Sequence, residues 1–367
     1  MRILFIGSYF EDEIVPAPAK VGREIYKRLE AGEKRFYTYF FDGSKYSRFE
    51  KLFGEESIGD GIYRLGLFKL LKYFVNYKPD IVQIVNAEFF YLILLPLKPF
   101  LKYKIVYLNH SLISYSSKYF STFNYFLKLR FLIIERIIFK VSNILLVLSD
   151  RDKRYLNKLL NVPLRKIRIV NNGANNPGYS KKYESSNDNL KLIFIGDPSV
   201  GEKGFNFLIK SLSLVPMNIT LTVCSSAYQK LYVNDNKSNL IINYLQPVPE
   251  EELFNHIIKN DIIVVPSKYD SFSLALLESM TTGIHFVATN KVGLTERFKG
   301  EFNSFIVPFG NEKKMAESIT RLFNMDINEK VKLSCEIKRF SENYTWDTIV
   351  SDYQKIYADI NTYAERK

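Results

Sequence analysis

Asp261-Ile-Ile-Val-Val-Pro266-Ser267-Lys268-Tyr269-Asp270-Ser271-Phe272-Ser273-Leu274-Ala275-Leu276-Leu277-Glu278 is the stretch whose reading decides the fold. Four β-branched residues in a row predict a strand buried on both faces, as in a parallel sheet. Pro266 closes the strand, a polar loop carries Asp270, and a helix opening near Phe272 presents Glu278 about two turns on. Carboxylates so placed can accept hydrogen bonds from ligand hydroxyls, and the amides of Phe272, Ser273 and Leu274 would face the same crevice with the helix dipole behind them. Taken alone, the same residues better suit an ordinary helix-start aspartate followed by a surface glutamate.

A similar step occurs upstream. Ile195-Gly196-Asp197-Pro198-Ser199-Val200-Gly201-Glu202-Lys203-Gly204 follows a predicted strand and opens a helix. Glycines let backbone amides approach a phosphate, a helix start offers partial positive charge, and Lys203 adds a full one. Neither a Walker sequence nor a Gly-x-Gly-x-x-Gly fingerprint is present to favour an NTPase or a dehydrogenase.

Outward from these two places, short β-rich runs alternate with helix-length amphipathic runs along the chain, which predicts βαβ units with parallel sheets. Strands are expected at Ile3–Gly7, Phe36–Phe41, Asp80–Val85, Lys104–Asn109, Asn143–Leu148 and Lys166–Val170, then at Leu190–Ile195, Asn218–Val223, Asn239–Tyr244, Asp261–Val265 and His285–Thr289. The polar run 175–189, with Pro177 and Gly178, reads as a linker. The expected organisation is therefore α/β, two Rossmann-like domains, 1–174 and 190–345, facing each other across a cleft, with a final helix over 346–367. Ligands of such folds bind at the carboxyl ends of the strands.

Bulk properties narrow the function. Cys224 and Cys335 lie in separate apolar segments and the three histidines are scattered, so neither a disulfide framework nor a zinc site is indicated, and a reducing compartment is expected. Phe89–Leu97 is the longest apolar run, far short of the ~20 residues of a membrane span. The net charge of +12 is carried by one half: residues 1–174 hold 29 Lys and Arg against 16 Asp and Glu. Residues 61–140 concentrate it, with 12 against 3, and interleave Lys118, Lys128 and Arg130 with Tyr115, Tyr119, Phe120, Phe123, Tyr125 and Phe126. Cations among aromatics on amphipathic helices suit an anionic membrane surface. Nucleic acid would use the same groups, but no recognisable nucleic-acid module is present. Asp150-Arg151-Asp152 has the spacing of a manganese-binding pair, yet it opens a helix, where acidic residues are favoured anyway. His256 and His285 sit in apolar settings that favour structural roles.

Taken together, Lys203-Gly204, Pro266-Ser267, Asp270, Ser271-Phe272-Ser273 and Glu278, followed by Gly283, Gly293, Glu296, Asn303 and Val307-Pro308, resemble the retaining glycosyltransferases of family 4 (group 1), which have the GT-B fold. Asn109-His110, Leu148-Ser149-Asp150, Asn172-Gly173 and Trp346 extend the resemblance over nearly the whole chain. The resemblance implies that Lys203 holds the donor's phosphates and Glu278 the donor ribose. Asp270, with the amides of Phe272, Ser273 and Leu274, would grip the transferred sugar, and His110 would sit beneath it. Gly22 and Gly204 would line the donor site. It implies no cofactor and no metal, a UDP- or GDP-linked sugar donor bound by the 190–345 domain, an acceptor bound by the 1–174 domain, and a 346–367 helix returning to the first domain; with the basic, aromatic region 61–140 added, the expectation is a lipid-linked or polysaccharide acceptor and a cytoplasmic location, peripheral at the inner face of the membrane. Three positions depart from the family's pattern: Asp197 replaces an arginine, Asp270 replaces glutamate, and the first-domain glycine pair is reduced to Gly22, with Lys20 or Arg23 as substitute charge. These departures are what a catalytically degenerate partner or chaperone of an active enzyme would also show.

Overall fold

The computed structural model describes residues 1–11, 14–40, 45–86, 89–116, 125–184, 189–225 and 239–365. They divide into two compact units, one of residues 1–114, 124–171 and 346–367, the other of 115–123 and 172–345.

The first unit is built on strands β1 (Arg2–Ile6), β2 (Glu33–Tyr39), β3 (Glu55–Gly59), β4 (Ile62–Leu65), β5 (Ile81–Ile84), β6 (Lys104–Leu108), β7 (Ile144–Val147) and β8 (Ile167–Ile169). Their order is β3-β4-β2-β1-β5-β6-β7-β8, parallel throughout except for β3, which runs antiparallel at the edge. Chain order reverses between β1 and β5, so the crevice at their carboxyl ends is the topological switch point. Ile3, Leu4, Phe5 and Ile6 are all fully buried, as a central parallel strand covered on both faces requires. The helix Trp346–Glu365 belongs to this unit and buries Tyr353 and Tyr357; the Tyr357 hydroxyl donates to buried Gln83 Oε1 at 2.9 Å.

The second unit carries β9 (Asn189–Ile195), β10 (Asn218–Cys224), β11 (Leu240–Leu245), β12 (Ile262–Val265), β13 (His285–Thr289) and β14 (Ile306–Val307), all parallel in the order β11-β10-β9-β12-β13-β14. Here the reversal lies between β9 and β12, registered as Ile262 opposite Leu192 and Ile263 opposite Ile193. These are the two strands that precede the sequence motifs described above.

The stretch expected as a linker is in fact integral to this unit, and the boundary between units falls at Asn171/Asn172 rather than after 174. Ala174 bridges to Thr345, the Lys181 amide donates to the Thr282 carbonyl at 2.7 Å, and the Tyr183 ring stacks on His285 with centroids 4.2 Å apart. A stacked tyrosine and single backbone hydrogen bonds anchor this polar segment, features that composition does not reveal. The apolar run Phe89–Leu97 forms 3-10 turns, followed by a single α turn over Lys98–Leu101, because Pro96 and Pro99 each lack an amide to continue an α-helix. No described helix is long and apolar enough to cross a membrane.

Candidate active site

At the carboxyl end of β9 the chain turns through Asp197, whose Oδ1 accepts from the Ser199 amide at 2.8 Å and the Ser199 hydroxyl at 2.6 Å. The carboxylate found in place of an arginine thus closes its own turn. A 3-10 turn over Gly201–Lys203 then leads to Gly204 and the helix Phe205–Leu212. This turn docks on the loop after β12: the Glu202 carbonyl accepts from the Lys268 amide at 2.7 Å. Gly204 has φ +71°, and a Cβ there would lie 2.0 Å from the Pro266 carbonyl oxygen. Glycine is required by both backbone conformation and close approach.

Asp270 is held by a third segment. Its amide donates to the Lys291 carbonyl at 3.1 Å and its carbonyl accepts from the Gly293 amide at 2.9 Å, while Thr289 Oγ1 donates to the Ser267 carbonyl. So anchored, Asp270 Oδ2 lies 3.0 Å from Lys203 Nζ. Asp270 Oδ1 accepts from the Phe272 amide at 3.1 Å, and the Ser273 amide also bonds the carboxylate. Burial acts to raise the Asp270 pKa, but the Lys203 ammonium and the two amides outweigh it and hold the carboxyl below its usual range. Asp270 in turn raises the Lys203 pKa against the effect of its burial. Both groups are ionised at neutral pH. The Lys203 side chain remains 37 % exposed, so an incoming anion can reach its ammonium.

The amides of Phe272 and Ser273, expected to face a ligand, are engaged by Asp270, and the Phe272 ring and Leu274 are buried. Ser273 has φ +74° and ψ +83°, a conformation that costs a non-glycine residue about 1–3 kcal/mol, and its hydroxyl accepts from the Leu276 amide to cap the helix Leu274–Met280. Strain of this kind persists where surrounding contacts over-determine the backbone, here the ladder of the 289–294 segment. Glu278 is buried on the same helix.

In the first unit, His110 follows β6 in a turn made by Asn109, whose Oδ1 accepts from the Ser111 amide at 3.0 Å. A ring nitrogen of His110 bonds the Val85 carbonyl, while Nε2 is buried with no hydrogen-bond partner among the described residues. A carbonyl only accepts, so the proton sits on Nδ1 and Nε2 carries the lone pair. Gly22 meets the same residue: a Cβ there would fall 2.3 Å from Val85 Cγ1. Its place is explained by the approach of the helix Ala17–Arg28 to the end of β5, and nearby Lys20 is buried while Arg23 lies 3.8 Å from Glu24.

Burial pushes His110 down to about 4, and His285, whose Nε2 pairs with the Lys330 carbonyl at 2.9 Å, is likewise pushed to about 4. A histidine kept neutral in the fold is protonated more readily when unfolded, so its contribution is fully present above pH ~6.5 and is lost as pH falls towards 4. Each shift corresponds to on the order of 3 kcal/mol. Urea melts at pH 7 and 4.5 are expected to show a loss of that order, reduced in His285→Gln. Equal stability at the two pH values would contradict these assignments.

Glu135 is a residue near the site that motif reading missed. This buried carboxylate accepts from the Ile113 amide at 2.7 Å and the Ser114 amide at 3.0 Å, fixing the segment after His110. Its signal was a lone acid among apolar helix residues 131–139. Asp150-Arg151-Asp152 is a helix start: Ser149 Oγ accepts from the Asp152 amide, and no cluster of three or more His, Cys, Asp or Glu suited to a metal occurs among the described residues.

Lys203, Gly204, Asp270, Phe272, Ser273 and Leu274 are therefore gathered at one switch point, and Gly22 and His110 converge on Val85 in the other unit. Two family models match the chain: Glycosyltransferase Family 4 over residues 45–176 and Glycosyl transferases group 1 over residues 189–325. The chain is a glycosyltransferase of the GT-B class. An uncharacterized 41.2 kDa protein in the cps region of Klebsiella pneumoniae is 24 % identical over 70 % of this chain and 71 % of its own length. Matches to two uncharacterized glycosyltransferases of Methanocaldococcus jannaschii span only 59 % and 54 % of their lengths. Among solved structures, sucrose-phosphate synthase from Thermosynechococcus elongatus superposes with a TM-score of 0.75 at 14 % identity, covering 98 % of this chain and 99 % of that one. The Anabaena protein HepE in complex with UDP-glucose gives 0.71 at 15 % identity, over 98 % and 100 %.

Proposed function

We propose that the protein transfers a hexose from a UDP-linked donor, with retention of configuration and without a metal, to a lipid-linked or polysaccharide acceptor. The observation that carries this reading is the Lys203–Asp270 pair, 3.0 Å apart at the β9/β12 switch point. In this reading the donor's diphosphate takes Lys203 from Asp270, so the ammonium neutralises the departing nucleotide while Asp270 turns to the sugar hydroxyls. Glu278 accepts from the ribose. His110, neutral with its lone pair on Nε2, is the first unit's candidate acceptor for a substrate hydroxyl. The UDP-glucose bound to HepE supports the choice of nucleotide, and the cps-region relative supports a polysaccharide product.

An anionic membrane as the place of work draws support from the first unit. Phe49, Phe53 and Phe68 are 70 %, 44 % and 53 % exposed, with rings in a chain of contacts 5.3 and 5.0 Å apart, on the strongly basic half of the sequence. Exposed aromatics amid lysines are the groups that enter a headgroup layer. Lys118, Tyr119, Phe120 and Phe123 lie outside the described residues, as do the side chains of Tyr125, Phe126, Lys128 and Arg130.

A panel of UDP-, GDP-, ADP- and CMP-sugars with chelator present tests the donor, read by thermal shift and by NMR of the released anomer. Stabilisation and slow hydrolysis by a UDP-sugar, lost in a Lys203→Ala, Glu278→Ala double variant, is the expected result. Silence with every donor would favour the degenerate-partner reading, for which the substitution of Asp197 for a phosphate-binding cation is the supporting observation.

A further inference from the structure

The second unit has another cavity, at the amino-terminal edge of the same sheet. It holds about 500 Å³ and opens beside the first residues of β9, β12 and β13, the end opposite Lys203 and Asp270. Five lysines line it, Lys181, Lys182, Lys191, Lys259 and Lys330, against the carboxylates of Glu184 and Asp261. Asp261 is already committed: one oxygen accepts from Lys181 Nζ at 3.3 Å and the other from the Lys191 amide at 2.9 Å. Lys330 is almost fully buried, donating to the Phe323 carbonyl at 2.6 Å. His285, stacked under Tyr183, forms part of the wall and adds a neutral ring at physiological pH.

Five cations and two anions leave an excess of three positive charges around a concave opening, which raises the local concentration of anions. Lysine ammonium groups bind phosphate as point charges, and hydroxyl and amide side chains from Thr220, Thr222 and Asn189 supply neutral partners at the wall. A cavity of this size suits a small ligand rather than a folded partner. We propose that it binds a small phosphorylated anion, of pyrophosphate or sugar-phosphate size, at a site separate from the donor site. This holds whether or not the donor reading does.

The test is calorimetric titration of sodium pyrophosphate, at low salt, into the full chain carrying Lys203→Ala, which weakens any binding at the β9/β12 switch point. Binding is expected to persist in that variant and to weaken roughly tenfold or more when Lys191→Ala and Lys259→Ala are added. Both lysines are exposed, so the fold is expected to survive their replacement, and a thermal melt checks this. The His285 ring resonances are expected to move on titration. Loss of all binding with Lys203→Ala, or affinity unchanged by the double charge removal in a folded variant, overturns the proposal. So does capture by phosphatidylglycerol vesicles with no response to pyrophosphate or glycerol phosphate, which would place the charge on a surface rather than in a cavity.

Discussion

Replacing Lys203 by alanine is expected to lower kcat/KM for the sugar-nucleotide by about 10²- to 10³-fold, the effect of removing one preorganised charge from developing negative charge. The stem of Lys203 leaves a turn that is fixed at both ends, by Glu202 on the Lys268 amide and by Gly204 against Pro266, so water cannot reproduce the position of its ammonium. Steady-state kinetics with saturating acceptor measures this, and a change below about threefold would remove Lys203 from the reaction. Stability responds as well, in a pH-dependent way. The folded pKa of Asp270 is depressed, so its part of the pair's contribution is present above the free carboxyl value and fades as pH falls through the folded one. The folded pKa of Lys203 is raised, so its part is present below the free value and fades as pH climbs through the folded one. Between those limits Lys203→Ala loses the interaction whole, and outside them wild type and variant converge.

Gly204→Ala is expected to cost about 3–4 kcal/mol, combining a left-handed backbone with a collision. The Cβ would enter the Pro266 carbonyl at 2.0 Å, and that carbonyl belongs to the strand end that aims Asp270. Relief therefore requires the two loops to part, which breaks the Glu202–Lys268 bond and separates Lys203 from Asp270. Gly300, at φ +60° with nothing within 4 Å, is the control: Gly300→Ala bears the backbone cost of roughly 1 kcal/mol without the collision. Urea denaturation of both variants isolates the contact. Equal losses would show that the apposition of the two loops does not matter.

Much of this was legible in the residues. Apolar runs such as Ile262–Val265 located eleven of the fourteen strands among the described residues to within a residue or three, because parallel strands covered on both faces must be apolar throughout. The β3–β4 hairpin was not, since Glu55-Glu56-Ser57-Ile58-Gly59 is a polar edge strand without alternation. The helices Glu312–Asn324 and Ile327–Ser341 also went unread, although Met315, Ile319 and Leu322 keep helical spacing. Charge dominates both stretches and masks a narrow buried stripe. For the site, the motifs placed Lys203 and Asp270 each just beyond a strand, but the adjacency of those strands and the pairing of the two side chains were hidden. It depends on the docking of Glu202 and Gly204 on the second loop, which are backbone contacts with no side-chain signature. The engagement of the Phe272 and Ser273 amides by Asp270 was hidden for the same reason.

A crystal structure with an intact, non-hydrolysable UDP-hexose analogue tests the central claim most directly. The diphosphate is expected within hydrogen-bond distance of Lys203 Nζ, with the Lys203–Asp270 pair opened and Asp270 turned to the hexose. A nucleotide bound elsewhere, with that pair still closed at its present 3.0 Å, would contradict it.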